Sequence, residues 1–354
     1  MHKDKQDGKA WPGYVGLLLG TLLIAYLFSK LDLERSSRLI GSIGFSSLFI
    51  FLPYLFLHLI ETAAWRRLFP EGTGPVSFFK LLKIQIVSET VSMTLPAGIA
   101  VGEPLRPWLC RKFLGIALPA GFASIAVRKL LLGAAQGIYT MLGAVAGFAM
   151  LQQASVSLLG IGGLGIIMFV VGTSVTLFFL LFLVLLTNGN AAQTLHRLLM
   201  KVPFERVREW LLKREEGFEE ADRYLHSVKD GGAARLFPVM IMYVCAWMML
   251  AIESYLILRL LGVDVTFMRV LAFDTALVML RAIFFFIPSG LGIQDLGYLA
   301  FFQALGIPDY LAYGGAFILL RRLKEVIWYA IGYGVMFMDG IHLKDAQSVS
   351  EEGA

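Results

Sequence analysis

Long apolar runs separated by short polar stretches dominate the chain. Several of these runs approach the roughly 20 residues that an α-helix needs to cross the hydrocarbon core of a bilayer. Apolar runs of this length are typical of transmembrane helices. The pattern predicts about six full spans, at 13–30, 42–60, 117–150, 158–187, 236–259 and 310–338.

Two further apolar stretches each run into a proline-glycine break. One begins near residue 77 and reaches Pro96 and Gly98, and the other begins near residue 267 and reaches Pro288 and Gly290. Irregular backbone within the membrane is costly unless it lines a cavity. A shorter apolar segment follows each break. The sequence therefore predicts two re-entrant helical hairpins, at 77–114 and 267–306.

The two breaks belong to a repeat with an offset of 192 residues, the distance from Pro96 to Pro288. Seven residues after each proline comes a carboxylate, Glu103 or Asp295, and upstream Glu61 matches Glu253 at the same offset. A repeated, interrupted membrane segment is the best indicator in a sequence of a transporter's binding site.

Composition supports a membrane protein. The chain has 354 residues, of which 57% are hydrophobic and 16% charged, whereas about a quarter of a soluble domain is charged. The net charge of +5 comes from Lys and Arg spread among the loops. We therefore expect no nucleic-acid partner, and we expect an all-α polytopic membrane protein.

The basic residues of the loops predict the orientation. The one long polar stretch, 188–235, is rich in Lys and Arg and is placed in the cytoplasm, whereas the uncharged loop 151–157 is placed outside. Counting spans then puts both termini in the cytoplasm. The hairpins enter from opposite faces, so the repeat is expected to be inverted.

This topology divides the chain into two halves and a tail. Apolar residues at helical spacing within 188–235 fit either a helix on an anionic membrane surface or a linker that packs on the spans. The predicted division is 1–150 with hairpin 77–114, 151–338 with the amphipathic segment 188–235 and hairpin 267–306, and a polar tail at 339–354.

Ionisable residues within spans are functional candidates because a membrane makes them expensive. Glu89 and Arg281 each lie seven residues before a break proline, so they occupy one repeat position with opposite charges. They are expected to pair, or to bind complementary parts of a zwitterionic headgroup. The alternative is a buried ion pair that only fixes hairpin packing. Asp274, two turns before Arg281, is expected to offset its charge.

Glu103 and Arg106 follow the first break and share one helix face. The returning helix is predicted to start near Gly102, and its N-terminus attracts anions. Asp295 has the matching place in the second half. The plainer interpretation of such a carboxylate is a helix cap that accepts hydrogen bonds from the backbone.

Further charged residues lie within long helical runs: Arg128 and Lys129 in one, and Arg321, Arg322, Lys324 and Glu325 in another. Arginine binds phosphate with two parallel hydrogen bonds and stays charged at low dielectric. These side chains are therefore predicted to line a path for a phosphate headgroup. For Arg128 the alternative is snorkelling to the membrane interface.

The sequence gives little support for metal binding or catalysis. Five scattered histidines and two cysteines show no metal-ligand spacing, and there is no nucleophile elbow, P-loop or HExxH motif. We predict no catalytic residue, metal or cofactor. The pair Gly143 and Gly147 predicts a close helix–helix contact.

Several of these motifs resemble the lysylphosphatidylglycerol synthase transmembrane, or flippase-like, family. The motifs are Leu95-Pro96-Ala97-Gly98, Gly102-Glu103-Pro104-Leu105-Arg106, Pro288-Ser289-Gly290-Leu291-Gly292-Ile293-Gln294-Asp295 and Leu320-Arg321-Arg322. The stretch 253–328 is similar to the hopanoid-associated branch. The resemblance implies a multi-pass protein of the bacterial inner membrane that moves a lipid or lipid-linked molecule between leaflets.

The chain departs from the family pattern at two positions. Val127 stands where the family often has Glu, so that charge partner of Arg128 is missing, and Asp295 stands where Glu is usual. The soluble aminoacyl-transferase domain of the synthases is not expected, so we expect no enzyme activity.

The resulting hypothesis is a lipid translocase with a membrane lipid as substrate and basic residues as headgroup contacts. Two alternatives stay open at this point. One is a proton-coupled transporter of a small anion, with Glu89 or Glu103 as proton site. The other is a non-transporting scaffold for a partner enzyme of lipid biosynthesis.

Overall fold

A computed structural model describes residues 11–69, 73–95, 98–201, 212, 215–230, 232–284 and 287–341. Within these residues the secondary structure is helical throughout, without strands. The all-α prediction is confirmed.

Six α-helices and a 3₁₀ segment make up the described part of the first half. Their bounds are α1 Trp11–Lys30, α2 Leu33–Ile43, the 3₁₀ helix Gly44–Ile50, α3 Phe51–Arg66, α4 Phe78–Thr94, α5 Gly98–Leu114 and α6 Leu118–Ala146.

The second half continues with helices α7 to α14. Their bounds are α7 Phe148–Leu159, α8 Leu164–Asn188, α9 Ala191–Leu199, α10 Glu215–Asp230, α11 Gly232–Leu260, α12 Phe267–Ile283, the 3₁₀ turn Pro288–Gly290, α13 Ile293–Ala304 and α14 Tyr310–Met338.

The sequence repeat is also a repeat of helices. Helices α6 and α14 are both 29 residues long, and their first residues, Leu118 and Tyr310, differ by the same 192 positions as the break prolines. Before each of them stands a helix-break-helix pair, α4 with α5 and α12 with α13. The two halves therefore share one backbone plan.

Local chemistry explains both breaks. Leu95 has extended backbone angles, φ −90° and ψ 144°, as the residue before a proline prefers. Pro96 itself lies outside the described residues, and α5 begins at Gly98. At the second break Ser289, Gly290 and Gly292 have positive φ values of 51°, 61° and 77°. Such a left-handed turn ends the helical hydrogen bonding.

Within the described residues, four segments are long and apolar enough to cross a membrane: 33–66, 118–146, 164–188 and 234–260. These correspond to four of the predicted spans. The predicted span 13–30 lies in α1, whose described apolar part is Leu18–Lys30. The span 310–338 coincides with α14, which carries the charged residues 321–325. Six crossings and the re-entrant nature of the hairpins stay predictions.

The predicted span 117–150 is too long. Helix α6 ends at Ala146, and a separate helix, α7, follows the non-helical Gly147. Glycine is required there because α6 lies against α12. A Cβ on Gly143 would lie 2.0 Å from Thr275 Oγ1, and one on Gly147 would lie 2.2 Å from Ala272 Cβ. The close contact predicted for this glycine pair is present.

The halves interlock around the hairpins. Helix α4 packs against α14, α12 packs against α6, and α3 packs against α11. Each first hairpin helix thus contacts the long helix of the other half. This exchange brings the charged positions of both repeats to the centre of the protein.

Helices α9 and α10 occupy the polar stretch between α8 and α11. The carboxylate of Asp222 accepts hydrogen bonds from the backbone N–H groups of Ala192 and Gln193 at 2.8 and 2.9 Å, which caps α9. Helix α10 packs on α6 and α8, as in the linker interpretation. Leu195 and Leu198 of α9 are exposed. Residues 202–211, 213–214, 231 and the tail from 342 lie outside the described residues.

Candidate functional site

A first charge cluster lies where α3, α4, α5 and α6 meet. Its central ion pair joins Arg128 to Glu61, with 2.7 Å between Nη2 and Oε2. Both residues are buried. The missing partner expected at position 127 is therefore replaced by a carboxylate from α3, so Arg128 does not snorkel. The cluster consists of Glu61, Gln85, Glu89, Glu103, Arg106, Arg128 and Lys129.

Gln85 links the charges of this cluster. Its Oε1 accepts hydrogen bonds from Arg106 and from Arg128, the latter at 3.1 Å. Its Nε2 donates to Glu61 at 2.6 Å and to Glu89 at 3.1 Å. The neutral, fully buried amide of Gln85 thus bonds to two guanidinium groups through its oxygen and to two carboxylates through its nitrogen.

Glu103 lies at the edge of the cluster, on the returning helix α5. Its carboxylate is 2.6 Å from Lys129 Nζ and 3.5 Å from Arg106 Nε. The second distance reflects the three-residue spacing on one helix face. Glu103 therefore balances two cations and leaves Arg106 in contact with Gln85.

Glu89 has two polar neighbours on α3. Tyr54 donates to Glu89 Oε1 at 3.0 Å, and His58 Nδ1 lies 4.0 Å from Oε2. The predicted pairing with Arg281 is absent: no oxygen of Glu89 lies within 4.0 Å of that side chain among the ion pairs of the described residues. The two residues share a repeat position, but Glu89 contacts Tyr54 and His58 of α3, whereas Arg281 contacts Met93.

A second charge cluster lies where α11, α12, α13 and α14 meet. Lys324 Nζ is 2.9 and 2.8 Å from the two oxygens of Glu253. Both side chains are almost fully buried. The cluster consists of Glu253, Ser254, Asp274, Asp295, Tyr298, Arg321, Arg322, Lys324 and Glu325.

Asp274 contacts residues other than Arg281, its predicted partner. It accepts hydrogen bonds from Ser254 at 2.7 Å, Tyr139 at 2.8 Å and Tyr298 at 3.3 Å, and Arg321 Nη1 lies 3.8 Å away. The expected compensation of Arg281 is therefore wrong. Arg321 also lies over the Tyr298 ring, 4.9 Å from its centroid.

Asp295 combines two roles. Its Oδ2 accepts a hydrogen bond from the backbone N–H of Gly292 at 2.9 Å, which caps α13, and it lies 2.6 Å from Arg322 Nη2. Arg322 is also 2.6 Å from Glu325. Asp295 therefore both caps α13, as the plainer interpretation predicted, and forms an ion pair with Arg322.

Aromatic residues join the two clusters. Lys324 Nζ lies 4.1 Å from the centroid of the Tyr54 ring, and Trp328 packs on Tyr54 and His58 with centroid distances of 5.6 and 5.2 Å. Tyr54 also donates to Glu89 of the first cluster. A cation over an aromatic face is stabilised more strongly when both are desolvated. The clusters therefore form one polar centre.

Arg281 lies where the two hairpin breaks meet. Its Nη2 is 3.3 Å from Met93 Sδ, just before the first break. Ser289, in the second break, donates to the Met93 carbonyl at 3.1 Å and lies 2.9 Å from the Tyr329 hydroxyl. Among the ion pairs of the described residues, none involves this half-buried guanidinium. It differs in this from Arg106, Arg128, Arg321 and Arg322.

Counted together with Arg281, the charges of the polar centre cancel. The first cluster has three carboxylates and three cations, and the second has four carboxylates and three cations, with Arg281 as a further cation nearby. Removing so many charges from water is costly unless they pair. Arg281 balances the extra carboxylate in number, but among the cations of the described polar centre it is the one without a carboxylate within 4.0 Å.

Several residues of the site were not singled out by the sequence interpretation. Glu61 and Glu253 were visible as a repeat match, while Gln85, His58 and Tyr54 were not assigned roles. Gln85 is uncharged, and an aromatic residue in a span carries no signal of its own. In the described residues, no group of three or more His, Cys, Asp or Glu side chains could hold a metal ion.

Comparison with known proteins identifies the family. No curated protein matches the chain, and no solved structure does. The family model described as the lysylphosphatidylglycerol synthase transmembrane region matches residues 14–332, nearly the whole chain. The match includes both hairpins and both charge clusters. The chain is a membrane protein involved in lipid handling, and it belongs to the lysylphosphatidylglycerol synthase transmembrane-region family.

Proposed function

We propose that this protein is a lipid translocase that moves a phospholipid or a lipid-linked anionic or isoprenoid molecule between the leaflets of the bacterial inner membrane. The proposal includes cytoplasmic termini and no catalysed reaction. Family membership supports lipid handling. The single observation that carries the transport proposal is the position of Arg281, a half-buried cation between the two breaks without a carboxylate in its ion-pair range.

The headgroup is proposed to bind at this cation while the lipid tails stay in the bilayer. A guanidinium forms two parallel hydrogen bonds with a phosphate, so it both attracts and orients the group. Ser289 and Tyr329 supply hydroxyls within the same region. These groups recognise phosphate without specifying what is attached to it, so the substrate is named here only by class.

Movement is proposed to occur by rocking of one half against the other. The interlocked contacts of α4 with α14 and of α12 with α6 are the surfaces that would slide. The charged pairs Glu61–Arg128 and Glu253–Lys324 each lie within one half. They can therefore stay intact as rigid parts while the contact between the halves changes.

The test is a flipping assay in liposomes that contain fluorescent phosphatidylglycerol. We expect Arg281→Ala to slow flipping by roughly 10- to 100-fold, since a hydrogen bond to a charged group contributes about 1.5–3 kcal/mol. Arg281→Lys should retain part of the rate. The matched control is Arg259→Ala, which removes a helix-end arginine from an exposed pair with Asp264.

Two results would speak against the proposal. One is an unchanged flipping rate in folded Arg281→Ala. The other is flux of a small soluble anion with no lipid movement, which would favour the proton-coupled transporter. Absence of both activities, together with a stable complex with an enzyme of lipid biosynthesis, would favour the scaffold. Mass spectrometry of lipids that co-purify with wild type but not with the variant would name the substrate.

A further inference from the structure

A crevice lies at the open end of the first hairpin, away from the polar centre. The first turns of α4, the last turns of α5 and the residues after α14 meet there. Lys80 Nζ donates to the Phe113 carbonyl at 3.1 Å, and Lys112 Nζ lies 3.4 Å from the Gly340 carbonyl. These contacts hold the three segments together around a cavity of about 220 Å³.

The crevice has an apolar wall and a charged mouth. Its apolar lining is Ile84, Val87, Leu109, Phe113 and Ile341. Lys80, Lys83 and Asp339 line the polar side. Lys112 stands beside it with Nζ over the rings of Trp108 and Phe113, at 5.0 and 5.5 Å from the ring centroids. An apolar lining beside exposed lysines suits the junction between part of an acyl chain and an anionic headgroup.

The charge at the mouth is positive and only partly compensated. Lys80, Lys83 and Lys112 are exposed cations. Asp339 is the one acidic residue among the lining residues, and both of its oxygens lie 3.2 Å from Lys83 Nζ. The four groups sum to two positive charges. The single negative charge of a phosphodiester would therefore be compensated by the lysines at this mouth.

We propose that this crevice binds one anionic phospholipid, with its phosphate on Lys80, Lys83 and Lys112 and part of an acyl chain against Leu109 and Ile84. In the structure, the carboxylate of Asp339 occupies the place beside Lys83 that the phosphate would take. The occupant is assigned as a lipid, not as free phosphate, because the cavity wall is apolar. The site is separate from Arg281 and does not depend on translocation.

The experiment is native mass spectrometry of the full chain in detergent, titrated with phosphatidylglycerol and, separately, with phosphatidylcholine. We expect the crevice to add one tightly bound phosphatidylglycerol to any lipid held at Arg281, and we expect phosphatidylcholine to bind more weakly. A lysine near an anionic lipid contributes about a factor of five in binding, so Lys80→Ala combined with Lys83→Ala should weaken phosphatidylglycerol binding roughly 25-fold. Lys30→Ala, an exposed lysine elsewhere, should have no effect.

Asp339→Asn distinguishes loss of the site from loss of the fold. This variant removes the competing carboxylate, so phosphatidylglycerol should bind more tightly, by about fivefold. A misfolded protein does not gain affinity. Unchanged binding in the double lysine variant, equal binding of the two lipids, or competition by inorganic phosphate as effective as by the lipid would each overturn the assignment. Flipping by the double variant reports separately on translocation.

Discussion

Lys324 Nζ lies between the two carboxylate oxygens of Glu253, at 2.9 and 2.8 Å, in a place where both side chains are almost inaccessible to solvent. In the other half Arg128 and Glu61 form a pair at 2.7 Å. Glu61 and Glu253 are equivalent in the repeat, but Lys324 and Arg128 are not, since the equivalent of Arg128 is Leu320. The two halves therefore pair the carboxylate that both repeats share with cations from different helix turns.

The buried pair predicts a strong asymmetry between single and double variants. Glu253→Gln should lower the free energy of unfolding by about 3–5 kcal/mol, because it leaves Lys324 buried without its counter-charge. Glu253→Gln combined with Lys324→Met should recover most of that loss, since the charge is removed as well. Thermal unfolding in detergent measures both.

An exposed pair provides the control. Glu34→Gln removes the partner of Arg38, at 3.4 Å on the surface of α2, and should change stability by less than about 1 kcal/mol. A double variant no more stable than Glu253→Gln alone would contradict the assignment of the cost to an uncompensated charge.

Alanine substitutions at two helical glycines, one in the contact between α6 and α12 and one on an open face of α14, are predicted to have opposite effects. Gly143→Ala should destabilise the protein by roughly 1–3 kcal/mol, because the added Cβ would lie 2.0 Å from Thr275 Oγ1. Gly334→Ala, in α14, should stabilise it by about 0.5–1 kcal/mol, since a Cβ there meets no heavy atom within 4 Å. Thermal shifts of the same sign for both would show that packing does not decide the outcome.

Local signals were enough to predict the two proline-glycine breaks and the helices on either side of them. The hairpins were predicted at 77–114 and 267–306, and the helices found there run from Phe78 to Leu114 and from Phe267 to Ala304. Proline and glycine act on their own backbone, so their effect can be read without knowing the fold. The break at Gly147 was missed because the residues on both sides of it are apolar.

The partners within the polar centre could not be predicted in the same way. Glu61 and Arg128 are 67 residues apart, and only the packing of α3 on α6 brings them together. The sequence suggested an adjacent residue as partner, and it paired Asp274 with Arg281 because both lie on one helix. Contacts within a helix follow from spacing, whereas contacts between helices depend on their rotation and crossing.

The second break predicts a costly substitution at Gly292. This residue has φ +77°, and a Cβ on it would lie 2.4 Å from Leu23 Cβ of α1. Gly292→Ala therefore adds a steric clash to the strain of a left-handed alanine. Gly262, with φ +80° and no heavy atom within 4 Å of an added Cβ, isolates the strain alone.

We expect Gly262→Ala to cost about 1 kcal/mol and Gly292→Ala to cost at least about 2 kcal/mol more, in the range of overpacked cores. Chemical or thermal unfolding of both variants gives the difference. Equal losses would mean that α1 moves away freely and does not hold the break in place.

The four hydrogen bonds of Gln85 predict that this neutral residue stabilises the first charge cluster. Gln85→Leu keeps a similar volume but removes the acceptor of Arg106 and Arg128 and the donor to Glu61 and Glu89. Each buried polar group left without its partner costs about 1–3 kcal/mol, so the variant should lose several kcal/mol of stability and should flip lipid more slowly.

Gln152→Leu is the matched control for this substitution. The side chain of Gln152, on α7, accepts one hydrogen bond among the described residues, from the Gly163 N–H at 2.9 Å, and it is not a member of the cluster. Its loss should cost only about 1 kcal/mol and leave flipping unchanged. If both variants lose the same stability, then the four contacts of Gln85 do not act together. If Gln85→Leu is unstable but flips lipid at the normal rate, the first cluster holds the helices and plays no part in transport.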